Sequence, residues 1–433
     1  MTFRISDSVT VPGDKSITHR ALMLAACAQG DSRLSRLLPG QDCRSTAAVL
    51  RALGCDVPEP PADGGEIIVR GRGMDAWRAA AAPLDCGNSG TTARLMMGLL
   101  ASRPFGSTLT GDASLRGRPM RRITEPLERM GARFRDLESP GRLPVEVTGG
   151  ALTPLDYTSP KASAQIKSAV LLAGLGAEVP VSVTEPILSR DHTERMLASL
   201  GAPARFEHVE GGVRAVLGAW AGPLPPLELR VPGDPSSAAF LAALALLADT
   251  GELRITGVCA NPTRTGFFTI ARKMMGLVAW ERGRSEGGEP VSDVVVRPSK
   301  LRAVTIGGED IPAAIDEIPV LAVLAARAEG ETRITGAGEL RVKESDRIAA
   351  IVTALRAVGA QAEELEDGLV VVGSDHPLRG RVATHGDHRI AMAFGVLGAL
   401  PGNEIEVDDP ECAAVSYPRF WEVLRGLTGG RGS

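Results

Sequence analysis

Fixed charges recur at the starts of otherwise apolar helical stretches, and their types are those that grip anions. The first stretch is Val11-Pro12-Gly13-Asp14-Lys15-Ser16-Ile17-Thr18-His19-Arg20. Pro and Gly punctuate it, and the residues that follow read as a helix start. Lys15, Ser16 and Arg20 therefore stand at or near a first turn, where orphan N–H groups and the positive helix end favour phosphate or carboxylate. A capped surface helix with solvated Lys and Arg is the plain alternative. Val-Pro-Gly-Asp returns at 231–234, but its continuation, Pro235-Ser236-Ser237, adds no cation and reads as a structural echo.

Later stretches repeat the theme. Asp85-Cys86-Gly87-Asn88-Ser89-Gly90 offers two glycines for close approach to a ligand, and Asn88 or Ser89 as a cap. Arg118, just before Pro119, is placed at the entry of a Pro-started helix, where it either forks onto an anion or is solvated. Ser163 and Gln165 are uncharged hydrogen bonders suited to hydroxyls or phosphate, and Asp191, after Arg190, is a cap or a ligand contact. Asp316 precedes an apolar helix as either a base or an N-cap. Lys343 and Arg347, four apart, are expected on one helical face as an anion clamp. His385, Asp387 and His388 invite a metal reading, but no third strong ligand cluster accompanies them, so no metal is expected.

The elements that position these residues repeat six times over about 70–80 residues, a unit longer than the common solenoid repeats. A small-residue helix starts near Lys15, Asn88, Ser163, Pro235, Asp316 and Asp387. An alternating strand follows each, at 32–37, 107–112, 181–186, 253–258, 332–337 and 404–409. A second helix then ends at glycine in most units, as at Gly54, Gly131, Gly201, Gly276 and Gly359. Three units precede the second Val-Pro-Gly-Asp and three follow it. The expected architecture is α/β (α+β), with two similar domains of three units each closing over an inter-domain cleft. Domain 1 is expected at 1–13 and 232–433 and domain 2 at 14–231, with crossovers near 11–14 and 231–234. The stretch from Gly283 to Pro290 reads as a surface excursion.

Composition bounds the class. The chain has 433 residues, of which 44 % are hydrophobic and 23 % charged, as suits a globular protein of two or three domains. A formal charge of −4 leaves no general basic surface, so no nucleic-acid partner is expected. The longest apolar run, from Ala238 to Ala248, is too short to span a bilayer, so no membrane partner is expected either. Six scattered cysteines without CxxC, and no signal peptide, point to thiols in a reducing cytoplasm.

Over essentially its whole length the sequence resembles the 5-enolpyruvylshikimate-3-phosphate (EPSP) synthase family. The resemblance rests on PGDKSITHR, GNSGTTAR, GDASLRGRPM, SAQIKSAVLLAGL, EPILSRDHTERML, IDEIP, RVKESDR and GDHRIAM. The SAQIKS, SRDHTE and RVKES forms are similar to the bacterial subgroup that includes glyphosate-tolerant members. The resemblance implies an inside-out fold of βαβαββ units, no cofactor, a monomer, and two small-molecule substrates, phosphoenolpyruvate and shikimate 3-phosphate. It implies that Lys15, Ser16, Arg20, Ser163, Ala164, Gln165, Arg190, Asp316 and Lys343 hold shikimate 3-phosphate. Lys15, Asn88, Gly90, Arg118, Gln165, Arg347 and Arg389 would serve phosphoenolpyruvate. Asp316 would take the 5-hydroxyl proton, while Glu344, with Lys15, would manage the methylene proton. Val415 departs from the family pattern, where many members carry a lysine. Gly90 stands where alanine obstructs glyphosate in tolerant members, so a glyphosate-sensitive enzyme is expected. The sister transferase acting on UDP-N-acetylglucosamine uses a cysteine in the loop matching Gly111–Met120. No cysteine lies between Cys86 and Cys259.

Overall fold

Six small sheets run through the computed structural model, which describes residues 2–430; five are built around a helix–strand–helix–strand unit, and in the sixth Arg379–Val382 and Glu404–Val407 pair alone. The recurring order is strand, buried helix, parallel strand, second helix, then antiparallel strands. In the unit from Leu84 to Thr148, Leu84–Asp85 pairs parallel with Gly106–Thr110, which pairs antiparallel with Val145–Thr148. Crossover helices suit the parallel pair and a tight turn suits the antiparallel one. The expected strands lie at Gln29–Ser35, Gly106–Thr110, Val181–Glu185, Thr250–Cys259, Glu331–Ile334 and Glu404–Val407.

The chain divides into two units. Unit one takes the chain up to Pro12, Pro232–Arg284 and the chain from Pro290 onward. Unit two takes Gly13–Val231 and Ser285–Glu289. Within unit one, Arg4–Thr10 pairs parallel with Thr250–Cys259 and so completes a sheet more than 240 residues away. Within unit two, Glu228–Arg230 does the same for Gln29–Ser35.

The first helices of the repeats are mostly apolar around their whole circumference, with isolated buried polar residues such as His19, Arg20, Arg94 and Lys167, and such helices have to be buried nearly all round. In unit one every residue of Pro235–Leu246 and Ile318–Ala325 is buried, and His388–Gly398 packs with both. In unit two, Lys15–Cys27, Gly90–Ala101 and Ala164–Ala177 are buried along most of their length. Within each unit these first helices form the interior, while second helices such as Arg121–Arg129 keep an exposed face. Gly98 sets one of these contacts, because a Cβ there would lie 2.3 Å from the Ala169 carbonyl of the facing helix.

Two expectations of local structure are corrected. The stretch from Gly283 to Pro290 is not a surface excursion. It is the tip of a hairpin between Leu277–Glu286 and Glu289–Arg297, turned by Gly287 (φ 56°) and Gly288 (φ 80°). Its Glu289 is fully buried, with Oε1 2.7 Å from His192 Nδ1. The second helices do stop at left-handed glycines at Gly54, Gly131, Gly201 and Gly359, but at the fifth stop the left-handed residue is Met275 (φ 71°). Gly276 is there for space, since a Cβ would stand 2.7 Å from the Ala271 carbonyl.

Candidate active site

Because sequence-equivalent helices pack side by side in each unit, their N-termini meet at one end of it. In unit two, Asp14, Ser89 and Ser163 cap the three buried helices, accepting from Ile17, Thr92 and Ile166 N–H at 2.9, 3.1 and 3.5 Å. Ser89, not Asn88, is the cap, which leaves the Asn88 amide for side chains. Asn88 donates to Asp112 Oδ2 at 2.7 Å and accepts from Arg118 at 2.6 Å. Lys15 pairs with Asp42. Gln165 Oε1 accepts from Arg94 at 2.7 Å, and Gly90 leaves room beside both cations: a Cβ would lie 3.0 Å from Arg94 Nη1 and 3.6 Å from Arg118 Nη1.

Arg20 sits deeper than its neighbours. It donates to Thr193 Oγ1 and Ser168 Oγ at 2.7 Å each and to the Ser16 carbonyl at 2.9 Å. Burial brings its pKa down to about 10, so it stays charged at neutral pH. Asp191 makes no capping bond and instead pairs with Arg195 at 2.8 Å.

His19 ties the helix starts together. Its Nδ1 lies 2.7 Å from Thr46 Oγ1, which lies 2.6 Å from Thr92 Oγ1, itself 2.8 Å from Ser89 Oγ. Burial lowers the His19 pKa to about 3 from 6.5, so the folded state holds it neutral. The unfolded chain takes up its proton as pH falls through 6.5, and folding stability falls with it. Between pH 7 and pH 5 this one group should remove about 2 kcal/mol. Urea unfolding of wild type and His19→Gln at the two pH values measures it. Equal losses in both proteins would refute the assignment.

In unit one the carboxylates and cations interleave. Asp316 lies in a 3-10 turn, Ile315–Glu317, just ahead of the Ile318–Ala325 helix, and its side chain faces cations rather than capping. Its Oδ1 is 3.5 Å from Lys343 Nζ and 3.4 Å from Arg347 Nη1; its Oδ2 is 3.8 Å from Arg389 Nη2. Arg389 also donates to the Asp316 carbonyl at 3.0 Å. Arg347 is 1 % exposed and reaches Glu344 at 2.6 Å and Asp387 at 2.7 Å. Burial alone would favour its neutral form, but Asp387, Glu344 and Asp316 hold the guanidinium firmly charged.

Lys343 and Arg347 do not share a helical face as expected. The helix starts only at Arg347, and Lys343 is in extended backbone ahead of it. They converge instead on one carboxylate oxygen. The Asp387 carboxylate caps its own helix at the Arg389 N–H (3.0 Å), accepts from Ser345 (3.1 Å) and binds Arg347, which accounts for its place in the motif. Among the described residues, no group of three or more His, Cys, Asp or Glu is placed to hold a metal. None of the described helices is long and apolar enough to cross a membrane.

The second Val-Pro-Gly-Asp is more than an echo. Asp234 caps at Ser236 N–H (2.8 Å) and pairs with Arg264 (3.0 Å), which also donates to Ser236 Oγ (2.9 Å). The Ser236 hydroxyl donates to Glu317, which lies 3.7 Å from Arg389. The repeat pattern did not reveal Arg94, Asp42, Asp112, Arg264, Glu317 or Asp387 as partners. For Arg94 a signal existed, as a lone cation inside an apolar helix. For the acids, only packing between repeats assigns the partner.

The comparisons agree with this architecture. The family model described as EPSP synthase (3-phosphoshikimate 1-carboxyvinyltransferase) matches residues 2–424. A protein named 3-phosphoshikimate 1-carboxyvinyltransferase from Gloeobacter violaceus is 51 % identical over 424 residues, spanning 97 % of this chain and 96 % of its own. One of the same name from Paramagnetospirillum magneticum is 49 % identical over 426 residues, spanning 98 % and 95 %. A solved EPSP synthase from Acinetobacter baumannii matches with a TM-score of 0.84 at 39 % identity, covering 100 % of this chain and 96 % of that one. The enolpyruvyl transferase NikO from Streptomyces tendae matches with a TM-score of 0.75, 98 % and 95 % coverage and 20 % identity, a likeness of fold. The chain belongs to the EPSP synthase (3-phosphoshikimate 1-carboxyvinyltransferase) family.

Proposed function

We propose that Lys15, Asp316 and Glu344 handle the protons of the reaction, while the remaining helix-start residues grip the two substrates. The enzyme transfers the enolpyruvyl group of phosphoenolpyruvate to the 5-hydroxyl of shikimate 3-phosphate and releases phosphate, within the shikimate pathway. Both substrates carry a phosphate and a carboxylate, so bringing them together requires fixed cations and exclusion of water. Lys15, Asn88, Gly90, Arg118, Gln165, Arg347 and Arg389 are assigned to phosphoenolpyruvate. Lys15, Ser16, Arg20, Ser163, Ala164, Gln165, Arg190, Asp316 and Lys343 are assigned to shikimate 3-phosphate. With Val415 in place of lysine, Lys15, Arg118, Arg347 and Arg389 are the cations proposed for phosphoenolpyruvate.

The observation that carries the reading is Asp316, whose carboxylate meets Lys343, Arg347 and Arg389 at 3.4–3.8 Å. Incoming anions compete for those cations and free the carboxylate to accept the hydroxyl proton as oxygen attacks the enolpyruvyl carbon. Glu344, with Lys15, adds a proton to the methylene carbon and then removes one as phosphate leaves the tetrahedral intermediate. The arginine charges stabilise that intermediate and the departing phosphate. The enzyme is further read as a cytoplasmic monomer; six cysteines, none in a disulfide, support the reducing compartment.

Phosphate release from phosphoenolpyruvate, with and without shikimate 3-phosphate, tests the reading. Release only with both substrates is expected, and strong loss in Lys15→Met. Release independent of shikimate 3-phosphate, or undiminished in the variant, would overturn it. Glyphosate should inhibit the wild type at levels comparable with those of phosphoenolpyruvate binding. Gly90→Ala should raise the inhibitory concentration on the order of tenfold, about 1.4 kcal/mol of inhibitor binding, because the added methyl takes space beside the Arg94 and Arg118 guanidinium groups. An unchanged inhibition curve would remove Gly90 from the site.

A further inference from the structure

A buried ionic knot in unit two lies outside the residues assigned above. Lys167 is a lone cation inside the apolar helix Ala164–Ala177. Its Nζ is 3.1 Å from Glu185 Oε2, 3.0 Å from Glu194 Oε1 and 3.4 Å from the Ser189 carbonyl. All three charged side chains are 1–2 % exposed. Charges buried this deeply are costly unless paired and hydrogen-bonded. A knot maintained at that cost in a protein with ample apolar core calls for a role beyond stability.

The donors that reach Glu185 indicate the role. Its Oε1 accepts the Ser163 backbone N–H at 2.6 Å, and its Oε2 accepts the Ser189 backbone N–H at 3.2 Å. The Ser189 hydroxyl lies 2.8–2.9 Å from both oxygens. One carboxylate thus holds the segment that opens with Ser163, Ala164 and Gln165, and also the residue directly before Arg190. Glu194 shares the same ammonium from the helix after Arg190; burial raises its pKa, and Lys167 opposes that shift. Thr193, next to Glu194, receives Arg20.

We propose that Glu185 is a positioning residue for shikimate 3-phosphate: from one buried carboxylate, anchored by Lys167, it sets the spacing between the Ser163–Gln165 helix start and Arg190. This rests on the assignment of Ser163 and Arg190 to that substrate. Gln165, shared with phosphoenolpyruvate, is also held from outside the knot by Arg94 at 2.7 Å and Thr91 at 3.3 Å, so phosphoenolpyruvate should feel the change far less.

Steady-state phosphate release by the full-length enzyme tests the proposal, varying each substrate in turn for Glu185→Gln, Ser189→Ala and Arg190→Met. Gln offers one acceptor where Glu offers two and turns an amide toward Lys167. Losing a charged hydrogen bond should raise KM for shikimate 3-phosphate on the order of tenfold in Glu185→Gln, with KM for phosphoenolpyruvate within about twofold. Ser189→Ala removes only a surplus hydroxyl and should shift the same KM in the same direction, by less. A merely structural knot would move both KM values together, or neither, and either result overturns the proposal. If Glu185→Gln fails to fold, Ser189→Ala decides: an unchanged KM for shikimate 3-phosphate overturns it. Arg190→Met separates the two layers. An unchanged KM there removes the substrate assignment itself. A raised KM there, with both other variants at wild-type values, removes only the positioning role.

Discussion

Asp316→Ala is expected to lower kcat for phosphate release by about 10²–10⁴, the range contributed by a positioned general base. KM for phosphoenolpyruvate should not rise with it, while KM for shikimate 3-phosphate, which Asp316 is also proposed to hold, should rise by much less than kcat falls. Lys343, Arg347 and Arg389 lie 3.4–3.8 Å from this carboxylate, so its removal leaves cations available to the substrate anions. A loss carried mainly by kcat marks an interaction used more in the transition state than in ground-state binding. Asp316→Asn keeps the shape and a hydrogen-bond acceptor but cannot take a proton at working pH, and should behave alike. Activity within threefold of wild type in either variant would exclude Asp316 as the base. A raised KM with normal kcat would make it a binding residue only.

Arg347→Met should destabilise unit one by about 3–5 kcal/mol, the usual cost of stranding buried partners of a removed charge. The Arg347 guanidinium serves Glu344 at 2.6 Å, Asp387 at 2.7 Å and Asp316 at 3.4 Å, and it is 1 % exposed. Asp387 shows the pH dependence to expect. Burial would raise its pKa, but the charge and hydrogen bond of Arg347, with His388, together hold it below the usual value. A depressed carboxylate contributes stability above its unfolded pKa and loses it as pH falls through its folded pKa. The gap between wild type and variant should therefore be full at neutral pH and narrow in the acid range. Arg347→Lys, which keeps the charge but not the planar fork, should fall between the two. Urea unfolding at pH 7 and pH 4 measures all three proteins. A loss below about 0.5 kcal/mol at pH 7, typical of a surface substitution, would show that the cluster is solvated and not a buried network.

Much of this site was legible along the chain because the repeat makes positions equivalent. Alternation at 332–337 and small apolar runs such as 238–248 report local propensity and burial, which a sequence displays directly. Helix starts follow from Asp14, Ser89, Ser163, Asp234 and Asp387, whose short polar side chains reach their own helix N–H groups. Buried helices of equal rank then have to gather their N-termini. The motif residues settle the family, and with it the chemistry, before any distance is measured.

Partnership was decided only by tertiary structure. Nothing in the spacing of Lys343 and Arg347 shows that they meet on Asp316, because the backbone between them is not helical. The two glycines of the 277–297 hairpin signal a turn, but only the fold buries Glu289 against His192. Lys167 announces itself as a lone charge in an apolar helix, yet its two carboxylates arrive from a strand end and from a second helix. Local structure depends on neighbours within a few residues, which the sequence contains. Charge pairing depends on which distant segments packing brings within about 4 Å, and at that range a buried pair outweighs local preference.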